Sequence, residues 1–124
     1  MADDEWSFSY EAELHAVFPA LHEAQRGWLA AIDSLQALDR KTHELIRLVC
    51  MVLARNAQGI RRHAQLAAEV GATWEEVCAA LVLSEPGFGI LPAVEALPQA
   101  RRGFDAGLAV LAGEHASEQD ADDD

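Results

Sequence analysis

Residues 39–55 read DRKTHELIRLVCMVLAR. Asp39 is a good helix N-cap, since its short carboxylate accepts from the unpaired N–H groups of a first turn. The predicted helix runs from Arg40 to about Arg55. From Leu45 to Leu53 it is apolar on almost every side, except at Arg47. A helix of that kind is usually buried, at the centre of a bundle or at a subunit interface. Glu44 stands at the entrance to the apolar run, where the helix dipole favours an acid.

Further helices follow on the C-terminal side. One is predicted from about Gly59 to Val70, and Gly71 fits its left-handed cap. Ile60, His63, Ala67 and Val70 share one face by the three-and-four rule, so His63 lies on the apolar side. Thr73 and Glu76 have capping-box spacing and open a helix through about Leu83. Pro86, Gly87 and Gly89 then interrupt the chain. Pro92 starts a last helix, from Ala93 to about Leu111, with Pro98 placed to kink it. On the N-terminal side, Glu11 to Ser34 is helical, broken or restarted at Pro19. Leu21, Trp28, Leu29 and Ile32 mark its apolar stripe. In Met1–Tyr10, Trp6, Phe8 and Tyr10 alternate with polar residues, as in an arm lying against the body or a neighbouring subunit. No strand pattern or internal repeat stands out. The expected fold class is all-α, a compact bundle of five or six helices.

Composition agrees. Of 124 residues, 51% are hydrophobic but only 6% aromatic, so the core must come from Ala, Leu and Val. Ala and Leu favour helices. One domain over residues 1–112 is expected, followed by an acidic, mobile tail over 113–124. That tail holds six of the 21 acids and no Lys or Arg. The net charge of −12 argues against nucleic acid and against anionic membrane surfaces. Met1-Ala2-Asp3-Asp4-Glu5 is acidic where a signal peptide would be basic, and no apolar run spans a bilayer. A cytoplasmic setting is the default. Cys50 and Cys78 each sit in an apolar helical pattern and read as buried small hydrophobes, not a disulfide pair.

From about Leu38 to Leu97 the chain resembles the carboxymuconolactone decarboxylase and alkylhydroperoxidase-D superfamily. The resemblance rests on Leu38-Asp39-Arg40-Lys41-Thr42-His43-Glu44-Leu45 and His63-Ala64. It extends to Gly71-Ala72-Thr73-Trp74-Glu75-Glu76-Val77 and Pro92-Ala93-Val94-Glu95-Ala96-Leu97. It implies an all-helical fold and a homo-oligomer, trimeric or hexameric. The redox branch carries the frame E-x11-C-x2-C-x3-H. Here the frame holds Glu44, Asn56, Gly59 and His63. Neither Asn56 nor Gly59 can form a thiolate, and one thiolate must attack while another resolves, so thiol peroxidase activity is not expected.

The decarboxylase branch does not need the cysteines. The resemblance to it implies a cofactor-free lyase or isomerase that moves a proton on a small oxo acid or lactone. His63 is the candidate general acid/base, and Glu44 its orienting or proton-exchanging partner. Asn56 is a candidate donor to a developing enolate oxygen. Arg47, Arg61 or Arg62 could hold a substrate carboxylate, Arg47 and Arg61 being the candidate substrate-binding residues. Two departures bear on the substrate. Gly59, Ile60, Arg61 and Arg62 stand where the branch often has acids, and its Gly-x-Pro turn is altered to Gly89-Ile90-Leu91-Pro92. On spacing alone, His63 reads as a core histidine held by one hydrogen bond. The competing expectation is therefore a catalytically silent ligand-binding or scaffold protein of the same family. His15 and His22, two turns apart, read as surface residues rather than metal ligands. No metal and no cofactor is expected.

Overall fold

A computed structural model describes the backbone of residues 11–122 and the side chains through His115. The Trp6-Phe8-Tyr10 arm lies outside the described residues. The chain divides into two compact units, Met1–Ala37 and Leu38–Asp124. Among the described residues there are helices and turns but no strand, as the sequence predicts.

In the first unit, residues 11–17 are helical. Phe18 leaves the helix, and α1 (Pro19–Asp33) begins on Pro19, whose missing N–H costs nothing in a first turn. The Ser34 hydroxyl closes the helix by donating to the Ala31 carbonyl at 2.7 Å. The expected stripe is not what α1 buries. Leu21 and Trp28 are 60% and 68% exposed, whereas His22 is buried at 7%. His22 is sheltered because a carboxylate and a second imidazole satisfy its ring nitrogens.

The second unit holds α2 (Arg40–Leu53), α3 (Ala57–Glu69), α4 (Trp74–Val82), the single turn α5 (Glu85–Phe88) and α6 (Leu91–Asp122). With α1, this makes six helices after residues 11–17. Each of α2, α3 and α4 starts on its own capping side chain. Asp39 accepts from Thr42 N–H at 2.7 Å, and Asn56 from Gly59 N–H at 2.9 Å. Thr73 and Glu76 complete a reciprocal capping box. Gly71 takes the left-handed conformation, φ 97°, that ends α3.

Two boundaries move. Pro86 and Gly87 form the turn α5 instead of only interrupting the chain; Pro is tolerated in a first turn. The last helix continues past Leu111 to Asp122, through Ala- and Glu-containing sequence that favours helix. Pro98 lies inside it without ending it.

The core joins Leu48 and Val52 of α2, Ile60, Ala64, Ala67 and Ala68 of α3, Val77 and Leu81 of α4, and Ala93, Ala96, Ala100 and Phe104 of α6. A buried Leu or Phe contributes about 1.5–3 kcal/mol, and a buried Ala less. The alanine-rich α3–α6 seam offsets this by close approach, which gains dispersion contacts. A β-carbon on Gly103 would strike the Arg61 carbonyl, and one on Gly107 the Gln65 carbonyl. At the end of the seam, the Arg101 guanidinium lies 4.8 Å from the centre of the Trp74 ring.

The helix α2 is half-buried instead of buried all round. Leu48 and Val52 enter the core, while Ile46 is 49% exposed on the other side. Cys50 is exposed and Cys78 only partly covered; both are free thiols. The expectation that both are buried is corrected: Cys50 falls on the outward face of α2. Burial still pushes the Cys78 thiol above its ordinary value, against the pull of Arg101.

Candidate functional site

The inner face of α2 carries an acid. Glu44 is one helical turn before Leu48, so the same geometry that buries Leu48 buries Glu44. Its exposure is 0%. An isolated carboxylate there would be costly, and the neighbours meet the cost by pairing with it. His63 Nδ1 lies 3.0 Å from Glu44 Oε2. Arg40 Nη2 and Arg47 Nη1 lie 3.2 Å and 3.5 Å from Oε1. Both carboxylate oxygens are thus engaged, one by two guanidiniums and the other by an imidazole.

This arrangement fixes the histidine. An ionised carboxylate only accepts, so His63 donates its Nδ1–H, and the Nε2 lone pair is left for other chemistry. The His63 side chain keeps 16% of its surface exposed, so the ring bridges the buried acid and the surface. The local helix geometry follows from Asn56, whose cap starts α3 at Ala57 and sets His63 two turns along.

The structure thus brings together Glu44, His63 and Arg47. Asn56 uses its Oδ1 on the Gly59 N–H, so a donor role falls to its Nδ2. Arg61 is exposed, with its carbonyl against Gly103 of α6. The neighbouring Arg62 is partly covered, and burial pulls its guanidinium below the ordinary value, with Glu69 acting against that. Arg40 is a site residue that the sequence reading did not single out. Its signal was the four-residue spacing to Glu44, which stacks the two side chains on one helix face.

Gly59, in the second thiol position of the frame, is buried against α2. A β-carbon there would lie 2.7 Å from Met51 Cγ and closer still to its sulfur. Met51 therefore fills the volume that a side chain at position 59 would need. Position 56 is used to cap the helix. Both places are committed to structure.

The surface around α2 carries cavities, among them two of different size. A groove of about 510 Å³ lies along the outward face of α2 and α4, lined by Leu45, Ile46, Val49, Cys50, Ala80 and Leu83 among others. A smaller one of about 180 Å³ is lined by Val52, Arg55, Ile60, Glu95 and Gln99 among others. Neither is lined by Glu44 or His63. Among the described residues, no three His, Cys, Asp or Glu side chains are arranged to hold a metal ion. Nor, among them, is any helix long and apolar enough to cross a membrane.

Comparisons with curated proteins and with solved structures return no significant match. The family model of the carboxymuconolactone decarboxylase family matches residues 19–102, which take in α1 to α5 and every residue of the Glu44–His63 cluster. With that match over most of its length, the chain belongs to the carboxymuconolactone decarboxylase family.

Proposed function

We propose that the protein is a cofactor-free lyase or isomerase that transfers a proton on a small oxo acid or lactone. The observation that carries this reading is the 3.0 Å contact between His63 Nδ1 and a carboxylate with no exposed surface. A buried acid that spends one oxygen on a histidine and the other on two arginines is an orienting group. It holds one imidazole tautomer and steadies the imidazolium when Nε2 takes a proton.

In this mechanism Nε2 is the atom that carries the proton. When a carboxylate leaves as CO2, the bond's electron pair passes to the neighbouring carbon as an enolate. The Nε2–H of protonated His63 then returns a proton to that carbon. In an isomerisation the same atom removes a proton from one carbon and returns it to another. Arg47, already at the carboxylate, and Arg61, on the exposed side of α3, supply positive charge for an anionic substrate. Asn56 Nδ2 supplies a donor for the enolate oxygen.

The purified protein, incubated in D2O with a panel of small 3-oxo acids and lactones, should place deuterium on the reacting carbon. His63→Ala should lower that rate by about 10²–10⁴-fold, the usual worth of a positioned acid–base group. Exchange that is equal in the two proteins would rule the reading out.

One observation favours a second reading. The groove along α2 and α4 is apolar and is not lined by Glu44 or His63. A catalytically silent protein that binds an apolar ligand, or assembles with copies of itself, would use that groove and keep the Glu44 cluster as internal structure. It predicts no turnover and unchanged ligand binding in His63→Ala. In either reading we place the chain in a homo-oligomer, because the groove and the exposed Ile46, Val82 and Leu83 gain from being covered.

A further inference from the structure

The first unit contains a pair of joined histidines that the proton-transfer reading does not use. His22 Nε2 lies 3.1 Å from Glu11 Oε2, and Arg26 Nη1 lies 3.9 Å from the same oxygen. On the other edge of the ring, His22 Nδ1 lies 3.2 Å from His15 Nδ1. The ring centres are 5.0 Å apart and the planes cross at 72°. His22 is buried and His15 is exposed.

The tautomers follow from the carboxylate. Glu11 only accepts, so His22 donates its Nε2–H and turns a bare Nδ1 toward His15. His15 fills that gap by donating its own Nδ1–H. A straight hydrogen bond between the two nitrogens would set the ring centres roughly 5.5 Å apart. The observed 5.0 Å is shorter, so the two rings are not in line with the axis between their nitrogens. With both nitrogens about 2.05 Å from one ion, as in tetrahedral Zn²⁺ sites, a 3.2 Å separation sets the ring centres about 5.0 Å apart. Both measured separations fit one ion. The carboxylate behind His22 is the partner that metal-bound histidines usually have on their other nitrogen.

We propose that His15 Nδ1 and His22 Nδ1 form a two-imidazole site for a divalent transition-metal ion of borderline softness, Zn²⁺ being the first choice. Imidazole nitrogens select this class over Mg²⁺ and Ca²⁺, which take oxygen ligands. Binding displaces the shared hydrogen bond. The His15 proton moves to its own Nε2, and no net proton is released. No third protein ligand converges among the described residues, so water takes the remaining positions. Glu11 acts through His22 as a positioning residue. The site departs from the expectation that these histidines are plain surface residues.

The test is a titration of the untagged full chain with Zn²⁺ by calorimetry, with Co²⁺ as a visible-absorption probe. One equivalent should bind. His15→Ala should weaken binding at least tenfold; this side chain is exposed, so the variant should keep the wild-type circular dichroism. Glu11→Gln should weaken it roughly 10–100-fold, the usual effect of losing such a partner. His43→Ala should bind like the wild type. Absence of saturable binding would overturn the proposal. So would wild-type affinity in His15→Ala, which would assign the ion to other histidines.

Discussion

The two faces of α2 each depart from the usual rule of burial, at Glu44 within and at Ile46 and Cys50 without. Its inner face carries an ionisable residue, Glu44, into the interior with no exposed surface, while its outer face leaves Ile46 half-exposed and Cys50 open. Apolar side chains normally go inside and charges outside. Inside, the charge is retained by three specific partners. Outside, the apolar surface has only a groove. The inner face is therefore complete as it stands, and the outer face gains from a ligand or a second copy. The inner face should tolerate little change, and the outer face much.

Glu44→Ala tests the inner face most severely. It leaves two arginines and a histidine facing a hole. Breaking a fully buried pair costs about 3–5 kcal/mol, and the partly exposed Arg40 and Arg47 can turn to water, so the loss should fall at or below the low end of that range. Urea denaturation followed by circular dichroism should show that loss. Glu44→Gln, which keeps the shape, should lose less stability. A loss below about 1 kcal/mol in the alanine variant would mean that the cluster is solvated, and the contrast between the faces would collapse.

Gly59→Cys asks whether the missing thiol can be restored. The new β-carbon meets Met51 Cγ at 2.7 Å. Overpacking of this kind costs about 1–3 kcal/mol. Adding Met51→Ala should recover part of the loss, because the two changes share one volume and do not add independently. Additive losses in the double variant would show that Met51 is not what excludes a side chain at position 59.

How much of this was legible from the sequence depends on whether the signal was local. The caps at Asp39 and Thr73 and the end of α3 at Gly71 need only neighbouring residues, and all three stand where the sequence puts them. The Glu44–His63 contact joins residues 19 apart, and the frame located it only because the spacing resembles a family pattern. Arg40 was within local reach. The exposure of Cys50 and the burial of His22 were not. Each depends on which side of a helix another element covers, and an apolar pattern running round the whole of α2 does not say which side that is. His22 shows the converse: polar partners made burial acceptable at a position whose residue type suggested the surface.

Acid should affect the α2–α4 contact before it affects the core. Lys41 Nζ lies 2.7 Å from Glu76 Oε2. That hydrogen bond, followed by the Thr73 backbone bond, holds the Glu76 carboxyl below its ordinary value of 4.5. Thr42 N–H does the same for Asp39, below 3.8. Both groups are lowered on folding, so their contribution is present above those ordinary values and is lost as the pH falls through the folded ones. Asp39 is exposed and Glu76 partly so, and salt screens them. Glu76→Gln should therefore lose a small contribution at pH 7 and converge on the wild type in acid, which flattens the acid limb of the stability curve. An unchanged acid limb would mean that the pair adds nothing measurable.

The outer face should give the smallest change in stability and the largest change in assembly. Ile46→Lys places a charge beside Leu45, Val49 and Leu83 on the groove, and an exposed substitution normally shifts stability within about 0.5 kcal/mol. If copies of the chain cover the groove, the variant should have a smaller mass by light scattering while unfolding at nearly the same denaturant concentration. If a small apolar ligand occupies it, mass should hold and binding of an apolar dye should fall. Each result assigns the outer face to one occupant. A large loss of stability with no change in mass or dye binding would show that Ile46 belongs to the core, and that α2 has one buried surface instead of two contrasting faces.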